Sequence, residues 1–391
     1  MPAAPLSPSV PALDQLALAV AESAPRLASP AGLLAVFAQV TDPRKRRGRR
    51  HRLPVLLTLA TCAVLAGARS FTAIAEWAAD AGETVWSALG IVRVPDASTF
   101  RRVFTLLDAD ALDTALGAWA AAATTPAAGA RRRIAVDGKT LRGSRHGDIP
   151  GRHLLAAFDQ QHHVVLAQRA VDAKTNEIGE IKALLTSVDL AGAVVTADAL
   201  HTQRDTATWL VDRGAHYFLV AKANQPALSA QLAALPWTKI RTRARSRDQG
   251  HGRVETRVVK ATEVRAGIGF PHAVQAVQIT RRRSVTGRPS DMETVHAITS
   301  LPTHQASPAL LADLARGHWS VENQLHWVRD VTYDEDRHRA RTGNAPQVMA
   351  SLRNLTIAIL RLTGTTNIAQ ALRHHARRPE RPLHTIMNLN C

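Results

Sequence analysis

Cysteine is nearly absent: the 391 residues hold two, Cys62 and Cys391. That excludes a disulfide scaffold and a cysteine-rich zinc site, and it suits a reducing compartment. Acidic charge is short as well. Lys and Arg total 49 against 32 Asp and Glu, a formal net charge of +17. Such an excess points to a polyanionic partner, of which nucleic acid is the commonest. Long apolar runs are missing. The longest mostly apolar stretch, Leu53 to Ala68, has sixteen residues; it is short for a membrane span and reads as a buried helix. No basic segment leads into an apolar one at the N-terminus, so a secretory signal is not expected. No internal repeat is visible. What is present is 46% apolar, too much for a mainly disordered chain and enough for one large domain or two ordinary ones.

Patterning divides the chain. Residues 1–30, rich in Ala, Pro and Ser, read as a flexible leader with one short helix at Leu13 to Glu22. Residues 31–123 read as an all-α domain. Apolar helical periodicity runs from Leu53 to Leu89, and a further helix is expected over Ser98 to Ala122, with Asp96 and Ser98 as candidate caps. After a linker, strands are expected at Ile134 to Val136, Leu154 to Phe158 and Val164 to Val171, with Gln160 to His163 as a hairpin loop. A helix from Glu177 to Val188 follows, then a strand at Val194 to Ala197, a helix at Gln203 to Asp212 and a strand at Tyr217 to Ala221. The order β-β-β-α-β-α-β is that of an RNase H-like mixed sheet; a doubly wound sheet would need a helix after each early strand. Residues 225–305 read as a β-rich insertion, with strands at Val254 to Val264, Ala273 to Arg281 and Glu293 to Thr299. Helical spacing returns at Pro308 to Arg329 and Pro346 to Leu362. The fold class is thus α/β, an RNase H-like core over 131–224 and 306–363, with a basic tail from 364 to 391.

Polar groups of an open α/β site collect at strand ends. Asp137 closes the first expected strand and Asp198 the fourth, and these strands are neighbours in an RNase H-like sheet. Two carboxylates so close repel unless cations neutralise them, and Mg2+ or Mn2+ with hard oxygen ligands does so. A third carboxylate from a late helix would complete the site. Glu322 is the candidate: at α-helical spacing His318, Glu322, His326 and Arg329 share one face, beside an apolar stripe of Leu314, Val321, Leu325 and Val328.

Val136-Asp137-Gly138-Lys139-Thr140-Leu141-Arg142-Gly143-Ser144 resembles the first motif of the H-repeat-associated, ISAs-type DDE transposases of bacterial insertion sequences. Lys174-Thr175-Asn176-Glu177-Ile178, Ala197-Asp198-Ala199-Leu200-His201-Thr202-Gln203 and Gly250-His251-Gly252-Arg253-Val254-Glu255-Thr256-Arg257 are similar to further family segments. The longest match is His318-Trp319-Ser320-Val321-Glu322-Asn323-Gln324-Leu325-His326-Trp327, continuing through Asp330-Val331 to Glu335-Asp336, and Asp42-Pro43-Arg44 is similar to the start of the preceding domain. The resemblance spans roughly 33–363. It implies metal-ligand roles for Asp137, Asp198 and Glu322, a homodimer in the synaptic complex, and work on bacterial DNA in the cytoplasm. One departure stands out. Where the wider superfamily has Tyr and Arg before the Glu and Lys seven residues after it, this chain has Ala315, His318 and Arg329.

The expected activity is strand cleavage at transposon ends and strand transfer into target DNA, with two Mg2+ or Mn2+ ions roughly 3.5–4 Å apart between the acids. The alternatives are a nuclease without strand transfer and an inactive DNA-binding relic. Double-stranded DNA, as terminal inverted repeats and as target, is the expected partner. Lys139, Arg142, His318, Arg329, Arg339 and Arg341 are the candidate DNA contacts. The basic runs Arg44 to Arg52, Arg241 to Arg247 and Arg281 to Arg283 suit phosphates too. Trp319 and Trp327 read as core or groove residues, with stacking on an unpaired base as the functional alternative.

Overall fold

The computed structural model describes residues 30–171, 177–242, 244–250, 253–264, 268–285 and 290–389. The expected leader and its helix lie outside them, as do Lys174, Thr175 and Asn176, and His251 and Gly252.

Among the described residues the first six helices are α1 (Pro30–Ala38), α2 (Leu53–Leu65), α3 (Phe71–Asp80), α4 (Gly82–Ala88), α5 (Ala97–Leu106) and α6 (Ala109–Ala123). The apolar run is α2, buried over nearly its whole length among α1, α3 and helices from the far end of the chain. Among the described residues no helix is long and apolar enough to cross a membrane. The periodicity from Leu53 to Leu89 is one pattern but three helices. Gly67, at φ +91°, takes the left-handed conformation after α2, and Ser70 restarts the chain by accepting from the Ala73 N–H. The segment Ser98 to Ala122 likewise breaks in two, because Asp108 caps α6 on the Ala111 N–H. Asp96 caps α5, and Ser98 donates to the Asp96 carboxylate instead of capping.

Among the described residues the sheet has nine strands in the order β3-β2-β1-β4-β5-β9-β8-β7-β6. They are β1 (Arg133–Thr140), β2 (His153–Asp159), β3 (Val164–Val171), β4 (Val194–Ala197), β5 (His216–Ala221), β6 (Ala244–Gly250), β7 (Arg253–Glu263), β8 (Gln275–Val285) and β9 (Asp291–Thr299). The first five form an RNase H-like mixed sheet: β1 is antiparallel to β2 and parallel to β4, and β4 is parallel to β5. Crossovers carry α7 (Glu177–Leu185) and α8 (Arg204–Asp212). The β-rich segment continues this sheet, since β9 pairs antiparallel with β5. In this region the short helix α9 (Pro226–Ala233) and β6, whose charged residues have no apolar alternation, escaped the sequence pattern.

The chain ends in α10 (Pro308–Val321), α11 (Ala345–Leu362), α12 (Ile368–Ala376) and α13 (Glu380–Met387). α11 is apolar or buried on almost every face, as expected of a helix at the centre of a core. It packs on α2, α5, α6 and β3, so helices from both chain ends share one core with the sheet. The basic tail is folded: α12 and α13 pack on α2, and α13 also on α1 and α4.

Where α6, β3 and α11 meet, the Asp113 carboxylate is buried and accepts from Gln168, Gln347 and Ser351. Burial lifts its pKa from 3.8 to about 7 despite those donors. A proton is therefore held more tightly in the fold than in the unfolded chain. This contribution to stability is complete below 3.8 and is lost as pH rises through about 7. Asp113→Asn should flatten that dependence, read as chemical denaturation midpoints between pH 5 and 8. An unaltered pH profile in the variant would assign the dependence elsewhere.

Candidate active site

The parallel pairing of β1 with β4 ends at Val136 opposite Ala197. The next residues along the two strands are Asp137 and Asp198. Neighbouring strands lie about 4.8 Å apart, so the register alone sets these two carboxylates side by side. β4 stops there while β1 runs on to Thr140 against β2. Asp137 therefore sits inside its strand, at the point where the parallel neighbour has left the edge open. Asp198 caps a 3-10 turn by accepting from the Leu200 N–H at 3.0 Å. Thr202 ties the same turn to β5 by donating to the Val220 carbonyl.

Glu322 arrives from the end of α10, which packs across β1 and β4. Its side chain is 67% exposed, against 29% for Asp137. Between them lies the buried His326, whose Nδ1 is 3.2 Å from Glu322 Oε2 and 3.6 Å from Asp137 Oδ2. One donor atom from each of Asp137, Glu322 and His326 lies within 4.8 Å of the others. Asp198 is outside that tight group, yet its charge is felt. Burial raises the Asp137 carboxyl above its ordinary value, Asp198 and Glu322 push the same way, and His326 opposes them. A buried acid that two other acids discourage from ionising is one that a divalent cation would relieve. Two carboxylates and an imidazole, with a third carboxylate on the adjoining strand end, fit such an ion, and the imidazole suits Mn2+ better than Mg2+. The Glu322 carboxyl is lowered, first by the hydrogen bond to His326.

The helix carrying Glu322 is not α-helical throughout. After Val321 it widens into two π-helical turns, Glu322–His326 and Val328–Thr332. Two of the candidate DNA contacts on this helix are buried, one before the π-helical turns and one on them. His318 is buried against Thr196 at 3.3 Å, and burial lowers its pKa to about 4, so it is neutral and cannot serve as a cation for phosphate. Arg329 is 1% exposed. The wider turns rotate it into the core, where Nε and Nη2 meet Glu335 Oε2 at 2.9 and 2.8 Å and Nη1 meets Asn354. Arg353 takes the other Glu335 oxygen at 2.9 Å. Burial alone would raise the Glu335 carboxyl, but Arg329 and Arg353 hold it at about 2. The stretch Arg329 to Arg353 is thus an internal brace. Lys139 is nearly buried and bound to Asp330 at 2.6 Å, tying the π-helical turns to β1.

The other candidate DNA contacts face solvent. Arg142 is 80% exposed and 3.6 Å from Asp336. Arg142, Arg145, Arg337, Arg339 and Arg341 line a cleft of about 590 Å³. Its two walls, the turn after β1 and the segment 335–341, touch at Gly143, where any Cβ would strike the carbonyl oxygens of Asp336 and His338. Trp319 is half-buried beside the core under α10, whereas Trp327 is 53% exposed, five residues beyond Glu322 and between the two π-helical turns.

Sequence reasoning gave no role to two residues at this site. His326 was legible only as a neighbour of Glu322 at i,i+4. Glu177 opens α7 and accepts from His153 Nε2 at 2.7 Å and from His201 Nε2 at 3.2 Å. These bonds hold its carboxyl at about 2. The cluster presses on Gly138, where a Cβ would lie 2.7 Å from Glu177 Oε1 and 2.6 Å from His153 Nε2. It thereby clamps the turn after Asp198 to the strand that follows Asp137. Its sequence signal was the segment ending at Glu177, which the acid triad left unused. Glu177→Ala should cost about 2 kcal/mol, the value of hydrogen bonds to a charged group, read by urea denaturation. Because the folded pKa is depressed, that difference should be full above 4.5 and fade as pH falls toward about 2. Equal stability of variant and parent at pH 7 would show that the clamp carries no load.

Two families match the chain. "Transposase DDE domain" matches residues 128–359 and "DDE_Tnp_1-associated" matches residues 34–120. The chain is 28% identical to the "Putative transposase YncI" of Escherichia coli O157:H7 over 84% of its own length and 87% of that protein. It is 28% identical to the "H repeat-associated putative transposase YhhI" of Escherichia coli K12 over 82% and 88%. A piggyBac transposase in a synaptic complex with hairpin DNA aligns with TM-score 0.46 and 11% identity, over 93% of this chain and 81% of that one, too slight a likeness to build on. The family matches cover both the helical and the sheet regions: the chain belongs to the DDE transposases, among relatives of the H-repeat type.

Proposed function

We propose that this transposase cuts DNA at the ends of its mobile element and joins the freed 3′ ends to a target, with Asp137, Asp198 and Glu322 as the ligands of its catalytic cations. The observation that carries the reading is the convergence at the end of the β1–β4 pairing: Asp137 and Asp198 in adjacent register, Glu322 reaching over from α10. One or two divalent cations bound there, Mg2+ or Mn2+, would activate the attacking oxygen of water or of a DNA 3′-hydroxyl and stabilise the leaving oxygen.

The chain's own residues do the positioning. The strand register fixes Asp137 and Asp198 on rigid backbone. Glu322 is the exposed member. His326 holds Glu322 toward Asp137 and serves as a fourth donor. The arginine-lined cleft of Arg142, Arg339 and Arg341, with Arg145 and Arg337 beside them, supplies the phosphate contacts. His318 and Arg329 act through the core and not on DNA. The helices within 31–123 are the reading's element for recognising the terminal repeats. Two ends cut in concert require two such sites, hence a homodimer on double-stranded DNA.

Asp137→Asn, Asp198→Asn and Glu322→Gln should each lower strand cleavage by on the order of 10³-fold or more, the loss of several kcal/mol of transition-state charge stabilisation. Binding to end-containing duplex should persist. Cleavage is read on labelled duplex with Mg2+ or Mn2+, and transfer by joined product on a target plasmid. Persistent cleavage in any one variant rejects that acid. Cleavage by the parent with no joined product rejects strand transfer and leaves a nuclease.

A further inference from the structure

The basic run before α2 is not a uniform string of solvated charges. Residues 44–52 hold seven Lys and Arg, a density that should drive a free loop apart by self-repulsion. Instead the loop is closed on itself by two of its arginines. Arg44 is buried and grips Asp42 with a two-pronged bond, Nε to Oδ1 at 2.9 Å and Nη2 to Oδ2 at 2.7 Å. The same guanidinium donates to the carbonyl oxygens of His51 at 2.6 Å and Gly48 at 3.4 Å, across the base of the loop. Arg49 closes the other side, donating to the carbonyl oxygens of Arg44 at 2.8 Å and Asp42 at 3.0 Å. Pro43 holds Asp42 extended at the entrance.

The remaining five, Lys45, Arg46, Arg47, Arg50 and Arg52, are all exposed, and none has an ion pair among the described residues. A bidentate Arg–carboxylate pair is the geometry that holds a fixed shape best. Here its effect is to keep five like charges within one short stretch, which destabilises the free protein and becomes favourable only when a dense line of negative charge approaches. The spacing of phosphates on duplex DNA, one charge per about 1.7 Å of axis, is such a line.

We propose that the loop 42–52 is a preformed docking edge for the phosphate backbone of duplex DNA, kept in shape by the Asp42–Arg44 clamp. The proposal rests on the reading of this chain as a DNA-acting transposase, and it adds a second contact surface separate from the arginine cleft at the catalytic edge. Asp42 and Arg44 are positioning residues in it; the five exposed cations make the contact.

The clamp predicts a sign that simple charge counting does not. Removing an acid from a basic protein strengthens its hold on DNA, yet Asp42→Ala should weaken it, because the loop opens. The measurement is equilibrium binding of the full chain to a fluorescein-labelled random-sequence duplex, by anisotropy, at KCl concentrations from 50 to 300 mM. The double variant Arg46→Ala/Arg47→Ala should lose affinity on the order of tens-fold at 0.1 M salt, with the slope of log K on log salt flattened by about 1.8, or 0.9 for each lost contact. Asp42→Ala and Arg44→Ala should move in the same direction, and Arg44→Lys should not restore binding, since a single ammonium cannot make the fork. Thermal melting of each variant reports whether the helices remain folded; the Arg46/Arg47 pair, being exposed, tests the contact without that concern. Asp42→Ala binding as tightly as the parent, or more tightly, overturns the clamp. An unchanged salt slope in Arg46→Ala/Arg47→Ala overturns the docking edge. Failure of the underlying reading looks different: the parent itself would show no salt-dependent affinity for duplex.

Discussion

The candidate site depends on one constraint, the register in which β1 and β4 pair. Parallel strands place like-numbered positions side by side, so the pair Val136–Ala197 commits the next residue of each strand to the same edge. A slip of one position would turn one of the two aspartates to the opposite face of the sheet. The register is fixed from below by an apolar core on both faces of β4, every residue of which is buried. From above it is fixed by the cluster of His153, Glu177 and His201, which spans from β2 to the turn after Asp198. Each aspartate accepts one backbone hydrogen bond, from the Gly138 N–H to Asp137 and from the Leu200 N–H to Asp198. Their placement is a property of the sheet.

The third acid is delivered by a different device. α10 packs on β1 and β4 through its apolar side, then widens into π-helical turns where Glu322 begins. Such turns cost helix stability and tend to occur where a side chain must be aimed. Here the widened turns leave Glu322 exposed, set His326 beneath it and send Arg329 inward to Glu335. The Arg329–Glu335–Arg353 brace joins the end of that helix to α11, so the exposed acid stands on a braced base. A buried ion pair of this kind is weak evidence for net stability, but losing one partner leaves an uncompensated charge, and that ties the orientation of the helix to the core.

Much of this was legible in the sequence. Strands β1 to β5 carry apolar runs ending in polar residues, and their order alone identified the RNase H-like sheet. The three candidate acids were chosen from strand ends and an amphipathic helix, and of these Asp137 and Glu322 come together beside His326. What escaped had physical reasons. Asp137 was taken as the end of a strand because its apolar run stops there, whereas β1 continues on its pairing with β2 alone. β6 has no apolar alternation because it lies at the sheet edge. α12 and α13 are short and rich in Arg and His, which masked the few apolar residues that dock them. His318 and Arg329 were candidate DNA contacts because they stand where the resembled superfamily carries an Arg and a Lys, and spacing does not report burial: His318 sits in the α-helical part of α10 against Thr196, and Arg329 turns to Glu335 from the π-helical segment. The seven Lys and Arg within residues 44–52 looked equivalent, and only hydrogen-bond geometry separates the two that shape the loop from the five that face out.

The central claim is that Asp137, Asp198 and Glu322 form one cation site. Mn2+ binding to the metal-free full chain, followed by the loss of the free-ion electron paramagnetic resonance signal, tests it without reliance on turnover. The account predicts saturable binding by the parent protein and a large loss of affinity when either Asp198 or Glu322, which come from separate elements, is replaced by its amide. Binding that survives both replacements unchanged would contradict it.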